Sequence, residues 1–463
     1  MRTLWQRPEP AAGPPSNPAE IADRAVHRRA VEAVIWGMPA VNFELMRRQM
    51  VKVGGAANQI VFWSRPVGWK NQTLTPNPDT IYFMPFFDTS DVGPVVLEIP
   101  PADTGTIVGS IDDCWQTAID DVGPDGADRG AGGKYLILPP DHEGGVLDGF
   151  IAAPSPTHKS FALLRSNYSS VDDAGIHAAV EHGKRVAVYP LSVADNPPPT
   201  TFVDAVDTLF DATISYDARF FDSLNAIVQT EPWLARDKAM IDKLTAIGIE
   251  KGKPFAPSDK TRRIFNLAAH EAHSWLTNRL EKSYFPPPFF EGGHWHVPAA
   301  AEVVDGLATN FADPDRYPVD DRAVTYSMGF FSAKHLGAGQ FYLMARKDGR
   351  GNALDGGSAY RLRVPPSAPV HQYWSATVYD GETHALLRDI ACSSRASTSP
   401  GLAANADGSV DVYFGPAAPD GASANWVPTK ACNSFEVIFR FYGPDKPLFD
   451  KTWKLPDIER LHS

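Results

Sequence analysis

Two distant stretches of the chain repeat one succession of landmarks. Leu97-Glu98-Ile99-Pro100-Pro101 is matched by Leu362-Arg363-Val364-Pro365-Pro366. A Gly-rich strand ending in Leu138-Pro139-Pro140-Asp141 is echoed by Phe414-Gly415-Pro416, with Asp420-Gly421 beyond. Ser160-Phe161 and its apolar run return as Ser434-Phe435 and theirs. The offsets are 265, 277 (Gly144 to Gly421) and 274 residues, in order and nearly constant. Such self-similarity predicts an internal duplication, two related β modules flanking something else. The segments at 94–99, 106–110, 134–138 and 160–165 are short and rich in Val, Ile, Leu and Phe. Those at 341–346, 360–364, 373–379, 409–413 and 435–441 are similar, and Asp-Gly pairs such as Asp348-Gly349, Asp380-Gly381 and Asp407-Gly408 separate them. Short strands between turn signals predict antiparallel sandwiches or barrels.

The intervening texture is helical. Asn17-Pro18-Ala19-Glu20 carries a helix start, with Asn17 as cap and Glu20 where a capping box wants it. That helix is expected to reach Gly37, where Pro39 ends or kinks it, with a short second helix at 42–50. Further helices are expected at 172–184, 202–229, 231–247, 258–284 and 299–311. The expected division is a flexible lead-in at 1–16, N-terminal helices at 17–59, a first β-sandwich at 60–170, a helical linking region at 171–320, and a second β-sandwich at 321–463. The fold class is therefore α+β multidomain, two antiparallel sandwiches joined by a mainly helical middle.

Charge and composition exclude several functions. Lys and Arg number 43 against 55 Asp and Glu, and a net charge of −12 offers nucleic acid no basic footprint. No run approaches 18 apolar residues, so no membrane span is expected. The three cysteines, Cys114, Cys392 and Cys432, fit neither a zinc motif nor a disulfide framework. The N-terminal residues lack the apolar run of a signal peptide. A cytoplasmic location is the expectation, with a periplasmic one as alternative if a signal was removed ahead of this numbering.

Several motifs, taken together, resemble a known pairing. Trp36-Gly37-Met38-Pro39, Thr75-Pro76-Asn77-Pro78-Asp79-Thr80-Ile81-Tyr82, Gly132-Gly133-Lys134-Tyr135 and Tyr189-Pro190-Leu191 resemble the domain of unknown function 1254. Tyr373-Trp374-Ser375, Val378-Tyr379-Asp380, Asp407-Gly408-Ser409, Asn425-Trp426 and Phe441-Tyr442-Gly443-Pro444 resemble its usual partner in bacterial proteins, the domain of unknown function 1214. The resemblance implies two sandwiches of jelly-roll or nucleoplasmin-like type and a homo-oligomer, dimer or tetramer. It implies no established reaction. The chain departs from the family pattern at His384, where the family has Arg, and at Cys392 and Cys432.

Candidate chemistry centres on a few residues. Asp79 could serve as general base and Tyr82 could donate to a developing anion, while Asn77 could bind substrate; Asn-Pro-Asp is equally turn chemistry. Asp113 follows a strand as a second acid or base, with Trp115 as a stacking wall; Trp115 is equally a core residue. Arg165 and Arg440 end corresponding strands of the two modules. Each could bind a carboxylate, or staple a sheet by pairing with Asp79 or Asp380. Trp374 could face a ligand, and more readily packs a sandwich. His270 and His273 lie three apart on one helix, and His294 and His296 follow it. Together they could ligate a divalent transition metal, against an ordinary solvated face and loop. The leading functional expectation is an enzyme on a small apolar or aromatic molecule, hydrolase- or lyase-type, using carboxylates. The alternatives are a non-catalytic ligand-binding or assembly protein, and a His-ligated metal enzyme.

Overall fold

The computed structural model describes residues 17–145, 147–168, 170–331, 333–335, 339–431 and 434–461. The expected lead-in at 1–16 and Cys432 lie outside them.

Each strand-rich region folds as a two-sheet sandwich, and the two sandwiches share a strand order. In the first, four neighbours run Ile81–Asp88, Lys159–Asn167, Thr106–Asp113, Ala118–Val122. In the second, the order Gln340–Ala345, Phe435–Pro444, Val370–Asp380, Ser394–Ala396 repeats it. The facing sheets correspond as well. Val95–Ile99, Gly133–Leu138 and Ile151–Pro154 match Tyr360–Val364, Val410–Gly415 and Trp426–Pro428. Even the parallel pairing at the end of each run is repeated, which a purely antiparallel expectation did not contain. The duplication read from sequence landmarks is thus present in hydrogen-bonded topology.

Alternation explains how each strand serves two neighbours. Successive side chains of a strand point to opposite faces. In Lys159–Asn167, Ala162 and Leu164 enter the sandwich core with Leu97 and Ile137, while Phe161 and Leu163 pack outward against the helices. In Phe435–Pro444, Val437, Phe439 and Phe441 fill the second sandwich with Leu362 and Val412. The other face carries Glu436, Ile438, Arg440 and Tyr442, all of them buried too. An antiparallel sheet commonly leaves one face to water. Here both long sheets are covered twice.

The covering layer is helical. Pro18–Lys52 is one continuous helix, capped by Asn17 and closed around Pro39 without breaking. The two helices expected at 17–37 and 42–50 are therefore one. Pro39 costs a backbone hydrogen bond, and this loss is offset because the helix is buried on all sides between Val34 and Glu44. The Pro39 carbonyl also accepts a bond of 2.9 Å from Gln116 Nε2. Gly37 lets Leu224 pack closely on this helix, since a Cβ there would lie 2.8 Å from Leu224 Cδ1 and would make that side chain shift. Arg219–Thr230, Asp259–Arg279 and Val319–Met328 pack around it in one apolar cluster. The helix expected at 202–229 begins only at Arg219; Phe202–Asp204 is an edge strand beside Gln59–Phe62. Val319–Met328 is helical where strands were expected from 321 onward. Both segments are short and of mixed polarity, and periodicity alone does not decide between strand and helix for them. Among the described residues no helix is long and apolar enough to cross a membrane.

Candidate functional site

Where the helices leave off, the outer faces of the two long sheets look at each other across a cavity of about 670 Å³. Its walls come from both modules and from residues 297–304 and 328–331 of the helical layer. Leu74, Met84, Val108, Leu163, Met344 and Ile438 give it apolar surface. Into this surface each module sets one cross-strand pair. Tyr82 stands opposite Arg165 in the first sheet, and Tyr342 opposite Arg440 in the second. Each guanidinium lies over its neighbour's ring, at 5.5 Å for Arg165 on Tyr82 and 5.1 Å for Arg440 on Tyr342. These are the same register position of a duplicated sheet.

Both arginines are buried, 8% and 2% exposed. Among the described residues no carboxylate forms an ion pair with either, and the Nε of each lacks a hydrogen-bond partner. Both guanidiniums stay charged: burial disfavours each cation, but the direction beside the surrounding tyrosines is upward, and a guanidinium is not deprotonated in a protein. Burial pushes the phenols of Tyr168, Tyr373, Tyr379 and Tyr442 upward, so these stay neutral. The pocket therefore offers two fixed positive charges among neutral hydroxyls, with Asp121 and Asp125 as its carboxylates. A buried cation costs several kcal/mol unless it is paired, and an anionic group is what would pair it.

The Thr75-to-Tyr82 motif clasps the modules together at the base of this cavity. Asn77 Nδ2 donates to Tyr442 Oη at 2.6 Å, and its backbone N–H donates to Tyr82 Oη at 2.8 Å. Tyr379 Oη donates to Pro76 O at 2.6 Å, and Tyr373 Oη to Asp79 O at 2.9 Å. Arg440 donates to Thr75 O at 3.1 Å, to Tyr379 Oη at 2.6 Å and to Thr377 Oγ1 at 3.0 Å. The turn chemistry legible in Asn-Pro-Asp is real, with Asn77 Oδ1 accepting from the Asp79 N–H at 3.0 Å. Its side chains then reach across to the other module.

The expected site residues divide accordingly. Asn77, Tyr82, Arg165 and Arg440 line one cavity. Asp79 does not line it. Its Oδ2 accepts from Ser394 at 2.8 Å, and burial pushes its carboxyl upward against the pull of Ser394 and Arg440. Asp113 lies elsewhere, between the first sandwich and the helices. Its Oδ1 accepts from the N–H groups of Trp115 and Thr117, each at 2.8 Å, and burial raises its pKa while Arg236 and Arg322 oppose the rise. Trp115 packs on Trp36 at 4.6 Å, and its carbonyl accepts from Arg322. Trp374 stacks on Phe439 at 5.4 Å inside the second sandwich. The stapling of Arg165 and Arg440 by Asp79 or Asp380 takes a different form: Arg440 is stapled, by hydroxyls and a carbonyl.

The four histidines do not meet. His270 is exposed, and His273 stacks on Tyr216 at 4.0 Å. His294 pairs with Asp457 at 3.0 Å, and His296 Nδ1 contacts Pro286 O at 2.9 Å. Among the described residues no three His, Cys, Asp or Glu side chains gather as a metal site. Helical spacing places two histidines on one face, but the second pair belongs to a loop held against the second sandwich. Cys114 is fully buried, and burial raises its thiol well above the ordinary value, which leaves it inert.

Sequence reasoning did not find Tyr342, Tyr442, Asp121 or His335, which also line the cavity. The alternation Glu436-Ile438-Arg440-Tyr442 against Phe435-Val437-Phe439-Phe441 was the available signal. It reads as a half-solvated strand unless a second layer is known to cover it.

Comparison with known proteins supports the architecture. Residues 57–190 match the family described as protein of unknown function DUF1254, and residues 339–446 match the one described as protein of unknown function DUF1214. The crystal structure of the VPA0106 protein from Vibrio parahaemolyticus is similar, with a TM-score of 0.58 and 18% identity over 94% of this chain and 100% of that one. At that identity the likeness concerns the fold alone. An uncharacterized protein from Burkholderia cenocepacia is more distant, with 11% identity and a TM-score of 0.43 over 96% of each chain. No curated protein matches the sequence.

Proposed function

The chain belongs to the proteins that join a DUF1254 domain to a DUF1214 domain, and from the cavity between those domains we propose that it binds a small organic acid. The observation that carries this reading is the pair of buried guanidiniums, Arg165 and Arg440, facing one cavity without a carboxylate partner among the described residues. An anionic head group supplies the missing charge, and the hydroxyls of Tyr82 and Tyr168 on the cavity wall supply donors around it. The apolar walls suit an aliphatic or aromatic body, and about 670 Å³ is the size of a small-molecule site. Of the two guanidiniums, Arg440 already spends its donors on Thr75, Thr377 and Tyr379. Among the described residues Arg165 has Tyr82 beside it and keeps its Nε unpartnered, which makes it the primary anchor.

Isothermal titration with benzoate, phenylacetate, adipate and octanoate, each beside its neutral amide, tests the reading. The expected result is saturable binding of one or more acids, no binding of the matching amides, and loss of binding in Arg165→Leu. Equal binding of acids and amides, or none of any acid, removes it.

A further inference from the structure

The two cavity faces diverge at one register position. In the first module, Ser110 stands opposite Asp121; in the second, the equivalent Thr377 stands opposite Ser394. The hydroxyl-to-neighbour bond is kept, with Ser110 Oγ donating to Asp121 Oδ1 at 2.8 Å and Thr377 Oγ1 to Ser394 Oγ at 3.2 Å. Only the first module has turned the neighbour into a carboxylate, and only there does a histidine meet it. His335 Nδ1 lies 3.0 Å from Asp121 Oδ2. Asp121 is fixed from three further sides, by Ser110 Oγ and by the backbone N–H groups of Lys334 and His335 at 2.9 and 2.8 Å.

We propose that His335, oriented by Asp121, is the general base of a hydrolytic reaction on the acid held by Arg165. This rests on the binding reading above. With Nδ1 donating to the carboxylate, Nε2 carries the free lone pair, the arrangement a proton acceptor needs. His335 is 62% exposed and lines the cavity, so it stands at the mouth, where water reaches it. Asp121 lies two strands across and two residues along from Arg165, a separation of about 12 Å between Cα atoms at ordinary sheet spacings. A substrate therefore has its carboxylate at one end and its hydrolysable bond toward the other, as in the monoester of a dicarboxylic acid. In the reaction the oxygen of water bonds to the ester carbonyl carbon and one water proton passes to Nε2. The carbonyl carbon's bond to the alcohol oxygen then breaks, and the proton on Nε2 passes to that oxygen. Ester and water give acid and alcohol. Asp121 is the positioning residue, holding the ring and stabilising its cationic form.

The test uses mono-4-nitrophenyl adipate as substrate and adipate as the non-reacting probe. The full chain is expected to hydrolyse the ester above the buffer rate. His335→Gln is expected to lower kcat about 100-fold or more, with adipate binding unchanged by calorimetry. Asp121→Asn is expected to lower kcat about tenfold or more at unchanged KM. Full kcat in His335→Gln overturns the proposal, as does adipate binding by a wild-type chain that leaves the ester intact. Failure of adipate to bind shows in calorimetry and overturns this proposal; the binding reading falls with it only if benzoate, phenylacetate and octanoate fail as well.

Discussion

The two modules carry the same Tyr–Arg pair at the same register, yet they treat it differently. Arg440 is held by Thr75, Thr377 and Tyr379 and ties the second sandwich to the Asn77 clasp. Arg165 leans on Tyr82 and is otherwise open to the cavity. Four residues ahead of each arginine the contrast continues. Phe161 stacks on Phe330 at 4.7 Å and seals the first sheet to the helices. Its counterpart in register, one residue beyond the landmark Phe435, is Glu436, fully buried between His384 at 2.8 Å and Arg346 at 3.3 Å. On the edge sheets even an ion pair is duplicated with its charges exchanged. Glu98 faces Lys134 at 3.9 Å, and Arg363 faces Asp411 at 2.8 Å. A duplicated frame thus preserves positions while freeing the chemistry at each. One copy became the joint and the other kept an open charge.

The comparison is most exposed to Arg440→Leu. Losing three bonds to buried acceptors is expected to lower unfolding stability by about 3 kcal/mol, read as a drop in urea midpoint. An unchanged midpoint would contradict its role as joint. Arg165→Leu is expected to cost no stability, and to weaken acid binding about 100-fold, the loss of a charge-assisted pair of about 2.7 kcal/mol; equal destabilisation in both variants would erase the distinction. Glu436→Gln, which leaves Arg346 without its buried counter-charge, is expected to cost about 2 kcal/mol, whereas Phe161→Leu, a nearly volume-conserving swap, stays within about 1.5 kcal/mol.

The smallest expected effect separates the exchanged ion pairs. Hydrogen bonding from Arg363 holds the Asp411 carboxyl below the ordinary range. Its stabilisation is therefore present above the unfolded carboxylate value and lost as pH falls through the lower folded value. After solvent screening, Asp411→Asn is expected to cost about 1 kcal/mol at pH 7, with the difference closing below about pH 4. Glu98→Gln, at the longer and more exposed pair, is expected to change nothing measurable. A penalty for Asp411→Asn that persists unchanged in acid would assign it to packing instead.

Much of this frame was legible in the sequence, because its signals are local. Pro-bounded apolar runs and Asp-Gly turns gave the strands, Asn17 gave the cap of the first helix, and repeated landmarks gave the duplication. Part of the cavity's polar lining was also legible, in Asn77, Tyr82, Arg165 and Arg440. What sequence could not supply was which sheet faces meet. That depends on long-range docking, and it decides that Asp113 and Trp374 pack away from the cavity while Asp121 and His335 line it. The histidine cluster failed for the same reason. Spacing along one helix is a local fact, and convergence of two segments is not.

The double covering of the long strands also limits how such a chain can change over generations. A one-residue insertion inside Lys159–Asn167 would exchange its two faces at every later position. Arg165 would then fall into hydrocarbon and Leu164 into the cavity. The same insertion in a connecting turn would leave both faces intact. Lineages of this protein are therefore expected to vary in length between strands and to hold strict parity within them.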